Sequence, residues 1–484
     1  MLGRHLYSIL IAGCVVLTCL FTGAYISKQA DSRPNVVLFF IDDLGYGDLS
    51  SYGAMSYRTP HLDQMAVEGT RFTNFLAAQA VCSASRAAIL TGCYPNRVGM
   101  SGALGPNSRI GLNLQEETLA ELLKARGYAT GIFGKWHLGD DSTFLPLQHG
   151  FDEYFGVPYS HDMWPLHPNQ AQANYPPLFW IEGSQRTKEI KTLEDAGEIT
   201  SAITERALSF IRKHKKKPFF LYLPYPMPHV PLAASTPFRG KSKQGLFADV
   251  LTELDWSVGQ VLQELKKQGL DKNTLVIFTS DNGPWLNYGD HAGSSGGFRE
   301  GKGTSFEGGH RVPCIIRWPG VVTAGRVCNK LLTTMDILPT VVKLCGAGLP
   351  KNKIDGIEWV DLLKGNEQVN PRENFLYYYR RNSLEAVRKG DWKLVFAHPG
   401  RTYEGLLPGK DGQPGPLTEN FSFPTALYNL RRDPGERYDV REQNPGIVAE
   451  LEKLAEEARQ DLGDDLQNRP GNNRRQAGVI DENR

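Results

Sequence analysis

The chain of 484 residues has almost no charge imbalance: 54 Lys+Arg stand against 53 Asp+Glu, a formal net charge of +1. Without a basic excess it lacks the electrostatic footprint expected of a nucleic-acid partner. It also lacks an internal repeat, so it is not an array of stacked units. Cysteine is scarce and inconveniently numbered. Of seven, Cys14 and Cys19 fall in an apolar N-terminal segment, leaving Cys82, Cys93, Cys314, Cys328 and Cys345. Five thiols cannot all pair within one chain. If Cys82 is modified, the other four can pair. Cys314 with Cys328 is one candidate bridge, although connectivity does not follow from sequence.

What the chain does contain points to a large, loop-rich enzyme. It has 50 glycines and 30 prolines, and 40% of its residues are hydrophobic. That length and composition suit one large domain with a smaller companion, or two or three medium ones. Residues 6–26 carry no charged side chain and follow Arg4 and His5. Such a stretch is the core of a long signal peptide or a single membrane anchor; Ile11-Ala12-Gly13-Cys14 also has the form of a lipobox. Each reading exports the remainder of the chain. Residues 1–30 are therefore assigned to targeting, with N-terminal membrane attachment as one form of it.

Val36-Val37-Leu38-Phe39-Phe40-Ile41 is a continuous apolar run rich in β-formers, the pattern of a strand buried on both faces of a parallel sheet. Residues 219–223 and 275–278 read the same way. Amphipathic helices are predicted over 118–126, stopped by Gly127, and over 247–268. This alternation predicts an α/β sandwich around a large, mostly parallel central sheet, over residues 34–370. Beyond 370 the strands are shorter: 375–379, 385–388, 392–396 and 426–430, with Gly390-Asp391 as a turn. A helix follows over 445–462. Residues 371–463 therefore read as a small C-terminal α+β domain with an antiparallel sheet. Residues 464–484 are polar and read as a disordered tail.

Two of the apolar strands end in hard oxygen ligands. The first ends in Asp42-Asp43, the second in Asp281-Asn282. Functional groups gather at the carboxyl ends of strands in α/β sheets. Three carboxylates and one amide oxygen suit Ca²⁺ or Mg²⁺ better than zinc. Either pair alone reads as readily as a turn cap; two such ends in one chain favour a metal. In Val81-Cys82-Ser83-Ala84-Ser85-Arg86, a helix is predicted from Ser85, placing Cys82 just before a helix N-terminus. Backbone N–H groups favour an anion there, and Arg86 adds a fixed cation. From spacing alone, a structural cysteine is the simpler reading of Cys82. In Gly134-Lys135-Trp136-His137, the period of an extended chain puts Lys135 and His137 on one side, a pair able to bind an anion and move a proton. His229 follows a proline-rich loop start. Lys302 sits in the Gly-rich stretch Gly301-Lys302-Gly303. Together these residues describe a hydrolase of an anionic ester with an oxygen-ligated metal.

The same blocks resemble the type I, formylglycine-dependent sulfatases of the alkaline phosphatase-like superfamily. Cys82-Ser83-Ala84-Ser85-Arg86 resembles the sulfatase signature. Residues 35–49, 134–139, 281–282 and 301–313 resemble further family blocks, and the likeness spans roughly residues 34–439. Residues 151–162 resemble the branch of arylsulfatase A and N-acetylgalactosamine-6-sulfatase. The resemblance implies that a separate maturation enzyme oxidises Cys82 to formylglycine, and that the metal is held by Asp42, Asp43, Asp281, Asn282 and the modified Cys82. It implies that Arg86 and Lys135 hold the aldehyde hydrate, and that His229 and Lys302 bind the sulfate and assist the leaving alcohol. His137 would take a proton from the second hydroxyl to expel sulfate, and Ser160 would bond the sulfate. A hydrate releases sulfate by collapsing to a carbonyl, without a second attack at sulfur. The implied substrate is a sulfated small molecule or glycan. One departure bears on maturation: the signature usually has Pro where this chain has Ala84. Two other readings remain open: a phosphonate or phosphate ester hydrolase of the same superfamily, and a non-catalytic binder of sulfated glycans if Cys82 is unconverted.

Overall fold

A computed structural model describes residues 33–168 and 173–480. The N-terminal targeting segment, with Cys14 and Cys19, lies outside the described residues. Ten strands build the main sheet. In chain order they are β1 (Asn35–Ile41), β2 (Thr70–Phe72), β3 (Ala129–Lys135), β4 (Glu153–Val157), β5 (Leu178–Glu182), β6 (Gln185–Ile190), β7 (Phe219–Tyr225), β8 (Thr274–Ser280), β9 (Cys314–Arg317) and β10 (Arg326–Cys328). Their spatial order is β10-β2-β9-β8-β1-β7-β3-β4-β5-β6. The five central strands, β8 to β4, run parallel, and antiparallel pairings join them to both edges.

The continuous apolar run of β1 is explained by this central position. Val36, Leu38 and Phe40 enter the core on one face, while Val37, Phe39 and Ile41 enter the core on the other. Each such side chain contributes about 1.5–3 kcal/mol by leaving water. The first face is covered by α1 (Cys82–Thr91) and α2 (Leu119–Ala125), through Ala87, Leu90, Leu119 and Leu123. Thr118 caps α2 in a reciprocal box with Glu121, at 3.2 and 2.7 Å. The second face is covered by α3 (Ile199–His214) and α4 (Leu246–Lys267), through Ile203, Phe210, Leu254 and Val258. Among the described residues, no helix is long and apolar enough to cross a membrane.

The later part of the chain forms β11 (Asn374–Tyr379), β12 (Ser383–Lys389), β13 (Trp392–Val395), β14 (His398–Thr402), β15 (Thr418–Phe423) and β16 (Ala426–Asn429). Strands β11-β12-β13-β16 make an antiparallel sheet, and β14-β15 make a separate hairpin. Helix α5 (Pro445–Leu462) lays Leu451, Ala455, Ala458 and Leu462 into the core of that sheet. Their i, i+4, i+7, i+11 spacing is one stripe of an amphipathic helix. The described residues from 34 onward form one compact unit.

Three expectations need correction. The stretch from Asp464 is not a loose tail. Asp464 is buried and accepts from Leu384 N at 3.1 Å and Arg459 Nε at 3.0 Å. Arg475 pairs with buried Glu116 at 2.6 Å, and Gly478–Val479 add a strand to Ile110–Gly111. Its polarity is that of a strap bonded to partners, which composition cannot distinguish from solvated chain. Cys314 and Cys328 are separate thiols in the core. Both lie opposite Phe72 of β2, on its two sides. They are thus two strand spacings, roughly 9.5 Å, apart, beyond the ~7 Å Cα limit for a disulfide. Finally, the signature helix starts at Cys82 rather than Ser85.

Candidate active site

The two acidic turns meet because β1 and β8 are parallel neighbours in register, Ile41 beside Ser280. Asp281 N donates to Ile41 O at 3.0 Å, and Asp43 N donates to Asp281 Oδ1 at 3.1 Å. Asp43 itself turns with φ 60°, a left-handed backbone that Asp tolerates better than most residues. The ends of β3, β4 and β7 bring further groups to the same edge. Lys135 and His137 follow from β3, Ser160 from β4 and His229 from β7, as expected at the carboxyl ends of parallel strands.

Every site residue expected from the sequence is buried: Asp42, Asp43, Cys82, Arg86, Lys135, His137, Ser160, His229, Asp281, Asn282 and Lys302. Lys135 Nζ contacts Asp42 Oδ2 at 2.5 Å, and the Cys82 thiol donates to Asp42 Oδ1 at 3.3 Å. Arg86 Nη2 bonds Asp281 Oδ2 at 2.8 Å and lies 3.5 Å from Asp42 Oδ1. Lys302 Nζ sits 2.8 Å from Asp43 Oδ1, and His229 Nε2 lies 3.5 Å from Asp43 Oδ2. Three carboxylates therefore interleave with three full cations. Burial alone would raise Asp42, but Lys135, His229, Arg86 and Lys302 hold it well below the usual carboxylate range. Asp281 is the outlier: burial, then the charges of Asp42 and Asp43, push it up to about 7 against Arg86 and Lys135.

The donors could hold a metal ion. Asp42, Asp43, Cys82 and His229 each present a ligand atom within 4.8 Å of the others. Asn282 Nδ2 donates to Asp43 Oδ1 at 2.7 Å, while its buried Oδ1 has no hydrogen-bond partner among the described residues. An orphaned carbonyl oxygen amid carboxylates is what a divalent ion would satisfy. Of the expected ligands, Asp281 instead has its Oδ2 on Arg86, and His229 takes a place in the cluster that spacing did not assign to it.

Sharing Cys82 and His229 with this cluster is a cleft of about 250 Å³ lined also by His137, Ser160 and Lys302. His137 Nε2 meets Leu104 O at 2.8 Å, so Nε2 carries the proton and Nδ1, which has no partner among the described residues, is left as an acceptor. Burial first, then Lys135 and Arg86, keep His137 well below its ordinary value and hence neutral. Burial, then Asp42, pushes the Cys82 thiol up. Burial would lower Lys302, but Asp43, Cys82 and Asp42 hold it well above the ordinary lysine value. A cleft with cationic walls and a neutral base, beside a cluster of carboxylates, suits hydrolysis of an anionic ester.

Among the lining residues that the sequence did not assign to the site are four polar or aromatic ones: Asp162, Trp285, Tyr379 and Arg401. Asp162 follows Ser160 by two and could have been suspected from that segment. Trp285 stacks its indole 4.5 Å from Lys302 Nζ, three residues beyond Asn282. Tyr379 and Arg401 come from the C-terminal part, and nothing in their local sequence points to the cleft.

Comparison with known proteins agrees with this geometry. The profile described as Sulfatase matches residues 34–347, and that of the C-terminal region of aryl-sulfatase matches residues 370–478. Arylsulfatase A of Bos taurus is 40% identical over 442 residues, covering 87% of this chain and 86% of its own. N-acetylgalactosamine-6-sulfatase of Canis lupus familiaris is 39% identical over 434 residues, covering 85% and 82%. The crystal structure of PsFucS1 sulfatase from Pseudoalteromonas sp. superposes with a TM-score of 0.79 at 29% identity, covering 89% of this chain and 90% of that one. The fold is thus alkaline phosphatase-like, and the chain belongs to the sulfatase family, whose members hydrolyse sulfate esters.

Proposed function

We propose that this sulfatase works through a formylglycine made from Cys82 by a separate maturation enzyme, beside a divalent cation, Ca²⁺ or Mg²⁺. The observation that carries the reading is the Cys82 thiol 3.3 Å from Asp42, in one cluster of ligand atoms with Asp43 and His229. The thiol stands where the hydroxyls of an aldehyde hydrate would be. Formylglycine hydrate would supply one hydroxyl as nucleophile and a second whose deprotonation releases sulfate. The cation, held by Asp42, Asp43, Asp281, Asn282 and the modified Cys82, would supply Lewis-acid polarisation of the sulfate.

The remaining roles belong to side chains present in the fold. Arg86 and Lys135 hold charge developing near position 82. His229 and Lys302 bind the sulfate, stabilise its charge and assist the leaving alcohol, with Ser160 as a further hydrogen-bonding group. His137, neutral and with Nδ1 open, accepts the proton that lets sulfate leave. The substrate is a sulfate monoester of an aryl or carbohydrate alcohol, in keeping with relatives named for both. Export through the N-terminal segment, whether cleaved or kept as an anchor, accompanies this reading.

Peptide mass spectrometry over residues 81–86 is the direct test. An aldehyde or its hydrate at position 82, with sulfate release lost in C82A, supports the assignment. A wholly unmodified thiol in protein that still releases sulfate would overturn it.

A further inference from the structure

We infer that Arg401 selects the leaving alcohol by engaging a second anionic group, a carboxylate or a further sulfate, carried close to the scissile ester; this rests on the cleft being the sulfate-ester site. Arg401 lies on β14, in the hairpin of the C-terminal part, yet lines the same cleft as Cys82 and Lys302. Its side chain is only 17% exposed. The outer edge of its guanidinium is spent on Glu419, with Nε at 3.3 Å and Nη2 at 2.6 Å from the two carboxylate oxygens. That pairing turns Nη1 the other way, where its one hydrogen bond is a long 3.4 Å contact with the Tyr403 hydroxyl.

Gly303 makes this approach possible. A Cβ there would stand 2.8 Å from Arg401 Nη1 and 3.0 Å from the Tyr379 hydroxyl, at φ +82°. Glycine directly after Lys302 thus lets a cation and a hydroxyl from another part of the chain close in on the wall of the cleft. The hairpin is also fixed to the Lys302 loop. Glu300 accepts from Thr402 Oγ1 at 2.5 Å and Tyr403 N at 2.8 Å, and the Tyr403 hydroxyl donates to Lys302 O at 2.6 Å. Ser305 donates to Glu385 at 2.6 Å, and His398 Nε2 lies 3.3 Å from the same carboxylate. A guanidinium held this firmly has little freedom left to lose, and its planar edge matches carboxylate or sulfate oxygens. The charge chemistry at position 82 does not call on Arg401. A substrate whose scissile sulfate meets His229 and Lys302 has this cation beside its remaining ring substituents.

The test uses the matured, metal-loaded enzyme and three substrates: a monosulfated monosaccharide, the same sugar with a second sulfate, and a monosulfated sugar linked to a uronic acid. Released sulfate gives kcat and KM for each. Wild type is expected to prefer one of the two doubly anionic substrates. R401A should shrink that preference by about tenfold or more, chiefly through KM, as expected for a lost charged hydrogen bond. The arm that loses most identifies carboxylate or sulfate. R401K, which keeps the charge and stem but not the fork, should retain an intermediate preference and carries the test should R401A not fold. Proportional losses on all three substrates, or a wild type fastest on the monosulfated sugar, overturns the inference. No sulfate release from any of the three by wild type overturns the reading of the cleft itself.

Discussion

Replacing Glu307 with Gln should destabilise the protein far more than any surface charge swap. Glu307 is fully buried at the head of a short helix five residues beyond Lys302. Its Oε2 accepts from Arg311 Nε at 2.9 Å and Nη2 at 2.6 Å, and its Oε1 accepts from the Tyr377 hydroxyl at 2.5 Å. Arg388 and Lys393 each lie 3.5 Å away, and Lys393 also pairs with buried Glu436 at 2.7 Å. Burial would raise Glu307, but Arg311, Lys393 and Arg388 hold it well below the usual carboxylate range. Two carboxylates thus face three cations. The amide preserves the volume and leaves Glu436 alone against all three. Breaking a buried pair from one side costs about 3–5 kcal/mol. At the ~2 °C per kcal/mol suited to a large domain, Tm should fall by about 6–10 °C. The assay is differential scanning calorimetry of E307Q beside E182Q. Glu182 pairs with Arg206 at 2.7 Å on the surface, with side chains 49% and 43% exposed, where a pair is worth ~0–1 kcal/mol. Equal shifts in the two variants would refute the reasoning.

Chelation should act on stability as well as on turnover. Stripping divalent ions with EDTA leaves the carboxylates of Asp42, Asp43 and Asp281 to their lysine and arginine partners alone. An ion present at a thousand times its Kd contributes about 4 kcal/mol, so Tm should drop on chelation and recover with added Ca²⁺. An unchanged melting curve would remove the ion from the account. Buried histidines should set the acid limit. Burial pushes His149 down to about 4, and neither of its ring nitrogens has a hydrogen-bond partner among the described residues. Between that value and the ordinary 6.5, the unfolded chain takes up a proton that the folded chain refuses. Stability is therefore full above pH 6.5 and declines as pH falls, by about 3 kcal/mol for this one group. H149F, whose ring can keep the stacking against Trp136, should flatten the slope of Tm against pH in that window; an unaltered slope would discount the effect.

The parts of the site legible from sequence are those carried by the sheet. An apolar run ending in two acids announces both a buried strand and a ligand-bearing turn, and two such runs need only pair to make a site. Parallel pairing of β1 with β8 does so. Cys82 was visible through its neighbours, although the helix begins at the cysteine itself, directly after an extended Val81. Contributions reaching the cleft from far along the chain were not legible. Arg401 lies among glycines, prolines and charges that look like any surface hairpin, and only the packing of β14 against the Lys302 loop gives it a role. The strap after Asp464 was misjudged for a related reason. Arg475 and Asp464 find buried partners through tertiary contacts, and a polar composition gives no sign of where those partners are.

The pairing of Ile41 with Ser280 also orders events in time. During synthesis, Asp42, Asp43 and Cys82 emerge long before the strand that pairs beside β1. Until β8 and the Lys302 loop that follows it arrive, the enclosure that later leaves the cysteine 2% exposed is incomplete. Were position 82 to be modified by an enzyme that must grip the peptide around it, the growing or newly released chain would offer more access than the completed sheet.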